Sequence, residues 1–246
     1  MEYSLKNFEK DLAVFDLILE EEKKEKFIKY YELLVEWNEK INLTAITEFD
    51  EVLKKHFLDS LSFVKVLDLL DKRKSLNDWK MIDVGTGAGF PGIPLKILYD
   101  EAEITLLDSL NKRIHFLDEI IHALDLEKIT TVHGRAEDLA KPNQLREKFD
   151  FCVSRAVANL SVLSEYCIPF VKKGGYFVAY KSDKTEEEMK NAKKAISILG
   201  GEIADCLEFL LPGTDMKRTL IVIKKVKNTN TRYPRKAGMP TKSPLS

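Results

Sequence analysis

The stretch Met81–Gly92, M-I-D-V-G-T-G-A-G-F-P-G, constrains this chain more than any other. A short apolar run carries one acid, Asp83, and breaks into a glycine-dense turn, with Pro91 where a new helix begins. Such a strand–turn–helix join leaves backbone N–H groups exposed at a helix N-terminus. The absent side chains of Gly85, Gly87 and Gly89 let a ligand lie against the main chain. The expected ligand is nucleotide-like.

The rest of the chain supplies a frame for that turn. From Trp79 onward, apolar runs of strand length alternate with helical patterns. Strands are expected at Lys80–Val84, Ile104–Leu107, Ile129–Val132, Phe149–Val153 and Tyr176–Lys181. Helices are expected at Pro91–Tyr99, Asn111–Leu124, Leu160–Val171 and Thr185–Leu199, and Gly174–Gly175 reads as a tight turn. Glu202–Leu210 and Arg218–Lys225 read as a closing hairpin around L-P-G-T-D. This alternation predicts an α/β fold, a mostly parallel Rossmann-like sheet with helices on both faces and one antiparallel strand near its end.

Before Trp79 the spacing is helical. Phe8, Leu12, Phe15 and Leu19 form one set, and Phe27, Tyr30, Leu33, Leu34 and Trp37 a second. Val52, Phe57, Leu61, Val64 and Leu67 form a third, with Asp50 as its expected N-cap. Asn42 and Thr44 mark a turn between the second and third. The organisation read from these shifts is a helical extension at 1–78, a ligand-binding domain at 79–227 and an extended basic tail at 228–246.

Charge separates the tail from the body. Residues 217–246 carry nine Lys or Arg and no acid, within a chain whose formal net charge is −1. A basic end on an acidic body points to a polyanionic partner. Cys152, Cys167 and Cys206 are too few and too scattered for a disulfide framework or a zinc site. No run approaches the ~20 apolar residues of a membrane span, and the N-terminus has no secretory pattern. A cytoplasmic protein without metal is expected, and nothing in the sequence demands more than a monomer.

Two cofactors fit the turn. Gly87-x-Gly89-x-x-Gly92 matches the dinucleotide pattern, yet Asp83 lies inside the strand, where its charge would repel a pyrophosphate. No hydride-transfer half-site follows. S-adenosylmethionine, with ribose and adenine but no phosphate, suits an acidic glycine-lined pocket better. Asp108, 23 residues after Gly85 at the end of the second strand, is placed for the ribose hydroxyls. Ala136 and Glu137, in G-R-A-E-D-L, are placed for the adenine, and Arg155 is expected over the pocket mouth.

V-G-T-G-A-G-F-P-G-I-P-L, L-L-D-S-L-N-K-R, G-R-A-E-D-L, V-S-R-A-V-A-N-L and Y-P-R-K-A-G-M-P-T-K-S-P-L together resemble the RsmG family, also called glucose-inhibited division protein B. W-N-E-K-I-N-L-T-A-I and H-F-L-D-S-L fit it too. The resemblance implies a class I methyltransferase fold. It implies S-adenosyl-L-methionine-dependent methylation of N7 of one guanosine in 16S ribosomal RNA of the small subunit. The family's cofactor contacts carry over to Gly85, Phe90, Ala136, Glu137 and Arg155, with Asp108 at the ribose. Met239 departs from the small or hydroxyl residue expected there.

Guanine N7 carries a lone pair and no proton, so the reaction needs positioning rather than a general base. That agrees with the lack of a catalytic dyad: His56, His115, His122 and His133 pair with no nucleophile by spacing. Arg135, Lys181, Arg218, Arg232, Arg235 and Lys236 are the candidate RNA-backbone contacts. The competing readings are a methyltransferase acting on a small molecule or protein, a non-catalytic RNA-binding assembly factor, and an NAD enzyme.

Overall fold

The computed structural model describes residues 3–72, 79–155, 158–182 and 185–245. Seven strands form one sheet in the order β3-β2-β1-β4-β5-β7-β6. They are β1 Lys80–Val84, β2 Glu103–Asp108, β3 Ile129–His133, β4 Phe149–Ser154, β5 Val171–Lys181, β6 Gly201–Leu210 and β7 Lys217–Lys225. The first five are mutually parallel, and β7 runs antiparallel to both β5 and β6. The reversal between β1 and β4 places a crevice at the carboxyl ends of the central strands, where open α/β sheets bind ligands.

Alternation along the strands explains the two-sided core. Met81, Ile104, Leu106, Phe151 and Val153 face one side; Ile82, Leu107, Cys152 and Phe177 face the other. The first face is covered by α6 Gly92–Leu98 and α7 Asn111–Ala123, and beyond them by the N-terminal helices α1 Lys6–Ala13 and α2 Glu21–Ile41. Phe27, Tyr30 and Phe57 share this cluster with Ile93 and Leu106, so the N-terminal helices and the sheet have one continuous core. The second face is covered by α8 Ala136–Leu139, α9 Leu160–Cys167 and α10 Thr185–Ile198.

Several boundaries differ from the sequence reading. The first helix stops at Ala13; Phe15 and Leu19 are buried but lie beyond it. The third helical set is broken into α3 Phe49–Val52, a π-helical stretch Leu53–Leu58, α4 Asp59–Leu61 and α5 Val64–Leu69. A wider turn accommodates the five-residue step from Val52 to Phe57, and both side chains are fully buried. Its N-cap is Glu48, whose carboxylate accepts the Glu51 N–H, and Asp50 lies inside the first turn. The helix expected at Leu160–Val171 ends at Cys167, before Pro169. Gly174–Gly175 lies within β5, where the register against β4 shifts, rather than in a turn outside it.

The largest difference is the tail. It is not extended in solvent but folds back on the second face, where Tyr233 joins the core and α11 Met239–Lys242 packs near α9. The reason is polar as well as apolar. Arg146 donates to the carbonyls of Thr229, Asn230 and Tyr233, and Arg235 forms a two-pronged pair with the fully buried Glu165.

Candidate active site

The glycine turn is held from below. Asp83 is fully buried, and its Oδ2 accepts the Thr86 hydroxyl at 2.7 Å and the Gly92 N–H at 2.9 Å. One carboxylate oxygen thus ties the end of β1 to the start of α6. Its other oxygen, Oδ1, is buried with no hydrogen-bond partner among the described residues. Desolvation raises the Asp83 pKa to about 6, against the opposing hydrogen bonds from Thr86 and Gly92. From above, Tyr30 of α2 donates its hydroxyl to the Ala88 carbonyl.

A cavity of about 350 Å³ opens beside this turn. Val84 and Gly85 form its floor, Leu107 and Ala136 line the β2 and β3 sides, and Leu163 and Tyr166 of α9 close another side. This volume is within the range of small-molecule sites, about 300–1,000 Å³. Gly85 has φ +72°, and a Cβ built on it meets no atom within 4 Å, so the bare backbone faces open space. The apolar side walls, the uncovered backbone and the carboxylate of Asp108 beside the lining residues Leu107 and Ser109 fit an adenosine-bearing ligand. A wider cavity of about 650 Å³ opens near the ends of β5, β6 and β7, with Arg218 in its wall; no glycine-turn residue lines it.

Asp108 ends β2 and is nearly inaccessible. Its Oδ2 accepts the Gly87 N–H at 3.0 Å and pairs with Arg113 at 3.2 Å, and its Oδ1 accepts the Leu110 N–H. The carboxylate therefore braces both the glycine turn and the start of α7. Ala136 and Glu137 line the cavity as expected, but Glu137 Oε1 accepts the Gly238 N–H of the tail at 2.9 Å.

Phe90 and Arg155 are displaced from the expected picture. Phe90 turns into the core, stacked on His56 at 4.6 Å between ring centroids. Arg155 lies over the Phe90 ring, and its guanidinium bonds the Lys55 carbonyl, His56 Nδ1 and Asp59 Oδ2. The arginine side chain is therefore directed toward the N-terminal helices instead of standing free over the cavity mouth. A guanidinium only donates, so His56 Nδ1 accepts and its Nε2–H donates to Thr44. Burial first, and Arg155 second, lower the His56 pKa to about 3.

Three of the six expected RNA cations are already paired. Arg218 Nε binds Asp59 Oδ1 at 2.8 Å, so Asp59 joins Arg155 and Arg218. Lys181 binds Glu188 and the Ala158 carbonyl, with its side chain 9% exposed. Arg235 is held on Glu165. These three are corrected from free RNA contacts to internal ties: each faces a buried or half-buried carboxylate, where losing the partner costs more than a solvated contact returns. Arg135, Arg232 and Lys236 are exposed, and Arg135 borders the cavity.

With this geometry in view, the family model GidB, rRNA small subunit methyltransferase G, matches residues 23–213. The chain belongs to this family. A Ribosomal RNA small subunit methyltransferase G from Clostridium tetani (strain Massachusetts / E88) is 54% identical over 226 residues, 92% of this chain and 92% of the relative. One from Lachnoclostridium phytofermentans (strain ATCC 700394 / DSM 18823 / ISDg) is 55% identical over 221 residues, 90% and 89% of the two chains. Among solved structures, M. jannaschii TYW2 in complex with AdoMet aligns with TM-score 0.51 at 16% identity, covering 64% of this chain and 76% of that one. A 16S rRNA (adenine(1408)-N(1))-methyltransferase from Catenulisporales acidiphilia aligns with TM-score 0.51 at 13% identity, covering 66% and 92%. At those identities the likeness is one of fold, and it is the class I methyltransferase fold.

For a GidB-family chain the residues that sequence reasoning missed are informative. Asp59, His56, Tyr30 and Glu165 join distant elements around the site. The available signal was chemical: His56 and Asp59 are ionisable groups set between the apolar residues of H-F-L-D-S-L, and Glu165 is the one charged residue of its helix L-S-V-L-S-E-Y-C. Buried polar residues in such settings need partners. No helix among the described residues is long and apolar enough to cross a membrane, and none of their side chains cluster as a metal site.

Proposed function

We propose that this protein transfers a methyl group from S-adenosylmethionine to N7 of a guanosine in 16S ribosomal RNA of the small subunit. The reading rests on family membership and on one observation above all: an adenosine-sized cavity floored by bare glycine backbone, at the carboxyl ends of the strands. When bound, the cofactor supplies an electrophilic methyl group on a sulfonium.

The chain's own residues bind and orient. The Gly85–Gly89 turn offers backbone for close approach, Asp108 carries the ribose, and Ala136 and Glu137 meet the adenine. The buried carboxylate of Asp83 lends negative charge beneath the turn, favourable to a cationic ligand. Phe90, fixed by Arg155 and His56, holds the turn's far end. Acceptor N7 has no proton to remove, so holding it in line with the methyl group is the main catalytic task. Arg135, Arg232 and Lys236 contact RNA phosphates. The target guanosine is unstacked, because the N7 edge lies in the groove of A-form RNA that side chains cannot readily enter. The protein acts as a monomer in the cytoplasm, where ribosomal RNA is found.

Labelled S-adenosylmethionine and small subunits from cells lacking the protein provide the test. The expected result is one labelled 7-methylguanosine, located by reduction and aniline scission. Label in protein or metabolites alone would favour the small-molecule or protein reading. Absence of both calorimetric heat and a thermal shift with the cofactor would speak against the enzyme reading.

A further inference from the structure

The C-terminal segment is more than a basic appendage. Gly238 and Thr241 line the same cavity as Gly85 and Ala136. Gly238 donates its N–H to Oε1 of the buried Glu137, 101 residues earlier, and Thr241 shares a 2.9 Å hydrogen bond with the Tyr166 hydroxyl. Three anchors upstream hold this wall in place. Lys225, pushed down to about 8 mainly by burial, bonds the Ile168 carbonyl and Thr229. Arg146 gathers three tail carbonyls. Arg235 locks onto Glu165.

We infer that residues 229–242 form the closing wall of the cofactor pocket, with Glu137 as the hinge point shared by tail and ligand. The inference rests on the cofactor reading above and deepens it. The same segment carries the exposed cations Arg232, Lys236 and Lys242. It therefore touches the methyl donor's adenosine half on its inner side and presents positive charge to RNA on its outer side. Its anchors hold the cations in one arrangement, and a bound cofactor adds contacts to the inner face of the wall.

The test uses the full chain and S-adenosylhomocysteine, the demethylated product. Hydrogen–deuterium exchange is followed across 229–242 with and without saturating ligand. The expected result is slower exchange of the Gly238 amide and of α11 on binding. Unchanged exchange there, with protection appearing only at the glycine turn, overturns the inference. Two substitutions supply an independent readout. Gly238→Pro removes the N–H given to Glu137, and Thr241→Val removes the hydroxyl given to Tyr166; both leave Arg235 and Tyr233 in place. Gly238→Pro, strained at a φ of +81°, is expected to lower the ligand-free thermal midpoint and to weaken ligand affinity about tenfold, whereas Thr241→Val is expected to weaken affinity a few-fold at unchanged thermal midpoint of the ligand-free protein. Wild-type affinity in both variants overturns the inference. If the wild-type chain itself binds no ligand, the cofactor reading fails instead, so the two failures are distinguishable.

Discussion

Two walls of one cavity are built in opposite ways. The glycine turn is held from below by short-range bonds: Asp83 reaches Thr86 and Gly92, three and nine residues away. The C-terminal wall is tied to the body mainly by long-range ones: Arg235 reaches back 70 residues to Glu165 and Gly238 reaches 101 to Glu137. The turn is packed solid beneath. A Cβ on Gly92 would meet Leu106 at 2.3 Å and Asp83 at 3.0 Å. The tail wall is open: a Cβ on Gly238 meets nothing within 4 Å. The contrast teaches that one wall is part of the core and the other is a strap fastened at a few polar points and by Tyr233. Local opening should therefore begin at the strap.

Substitutions that break a fastening should have the largest effect. Arg235→Ala leaves the Glu165 carboxylate buried and unpaired, and about 3 kcal/mol of stability should be lost in urea denaturation. Glu165→Ala should cost less, because the orphaned Arg235 can turn to water. Equal costs would mean that the pair is not the anchor.

The turn is probed by pH. Asp83 has a folded pKa near 6, above its ordinary value of 3.8, so the folded state holds the proton more tightly. This group's contribution is full below about pH 4 and is lost as pH rises through 6, an effect of order 3 kcal/mol. The difference in stability between wild type and Asp83→Asn should follow that sign across that window. A flat difference would show that Asp83 titrates normally.

Packing then separates the walls. Gly92→Ala should cost about 2 kcal/mol through overpacking, whereas Gly238→Ala should cost about 1 kcal/mol, from its φ of +81° alone. Reversal of that order in thermal unfolding would refute the distinction between core and strap. The smallest stability effect is expected at the outer face of the strap. Replacing Arg232 and Lys236 by Ala should leave stability within about 0.5 kcal/mol and lower the salt dependence of RNA binding by about two phosphate contacts. An unchanged salt slope would remove these residues from the RNA interface.

Much of the frame was legible in the chain. β1 follows from K-M-I-D-V, and Gly85 marks its end because a backbone at φ +72° favours glycine. Helix α2 follows from apolar residues at helical spacing over 21 residues. The place of Asp108 at the end of β2 is legible because strand length and motif spacing are local properties. Helix α1 was overextended because Phe15 and Leu19 are buried by packing, not by helical continuation. The tail was misread because composition reports its charge but not that Arg146, Glu165 and Glu137 are positioned to bind it.

The sequence by itself determined the alternation of strands and helices, the glycine turn and the family, since each is written in neighbouring residues. Only the tertiary structure decided which cations are free and which are ties. Lys181, Arg218 and Arg235 read along the chain as candidate RNA-backbone contacts, but Glu188, Asp59 and Glu165 meet them in space. A charge's role depends on the partner and dielectric around it, and both are set by residues far away in sequence.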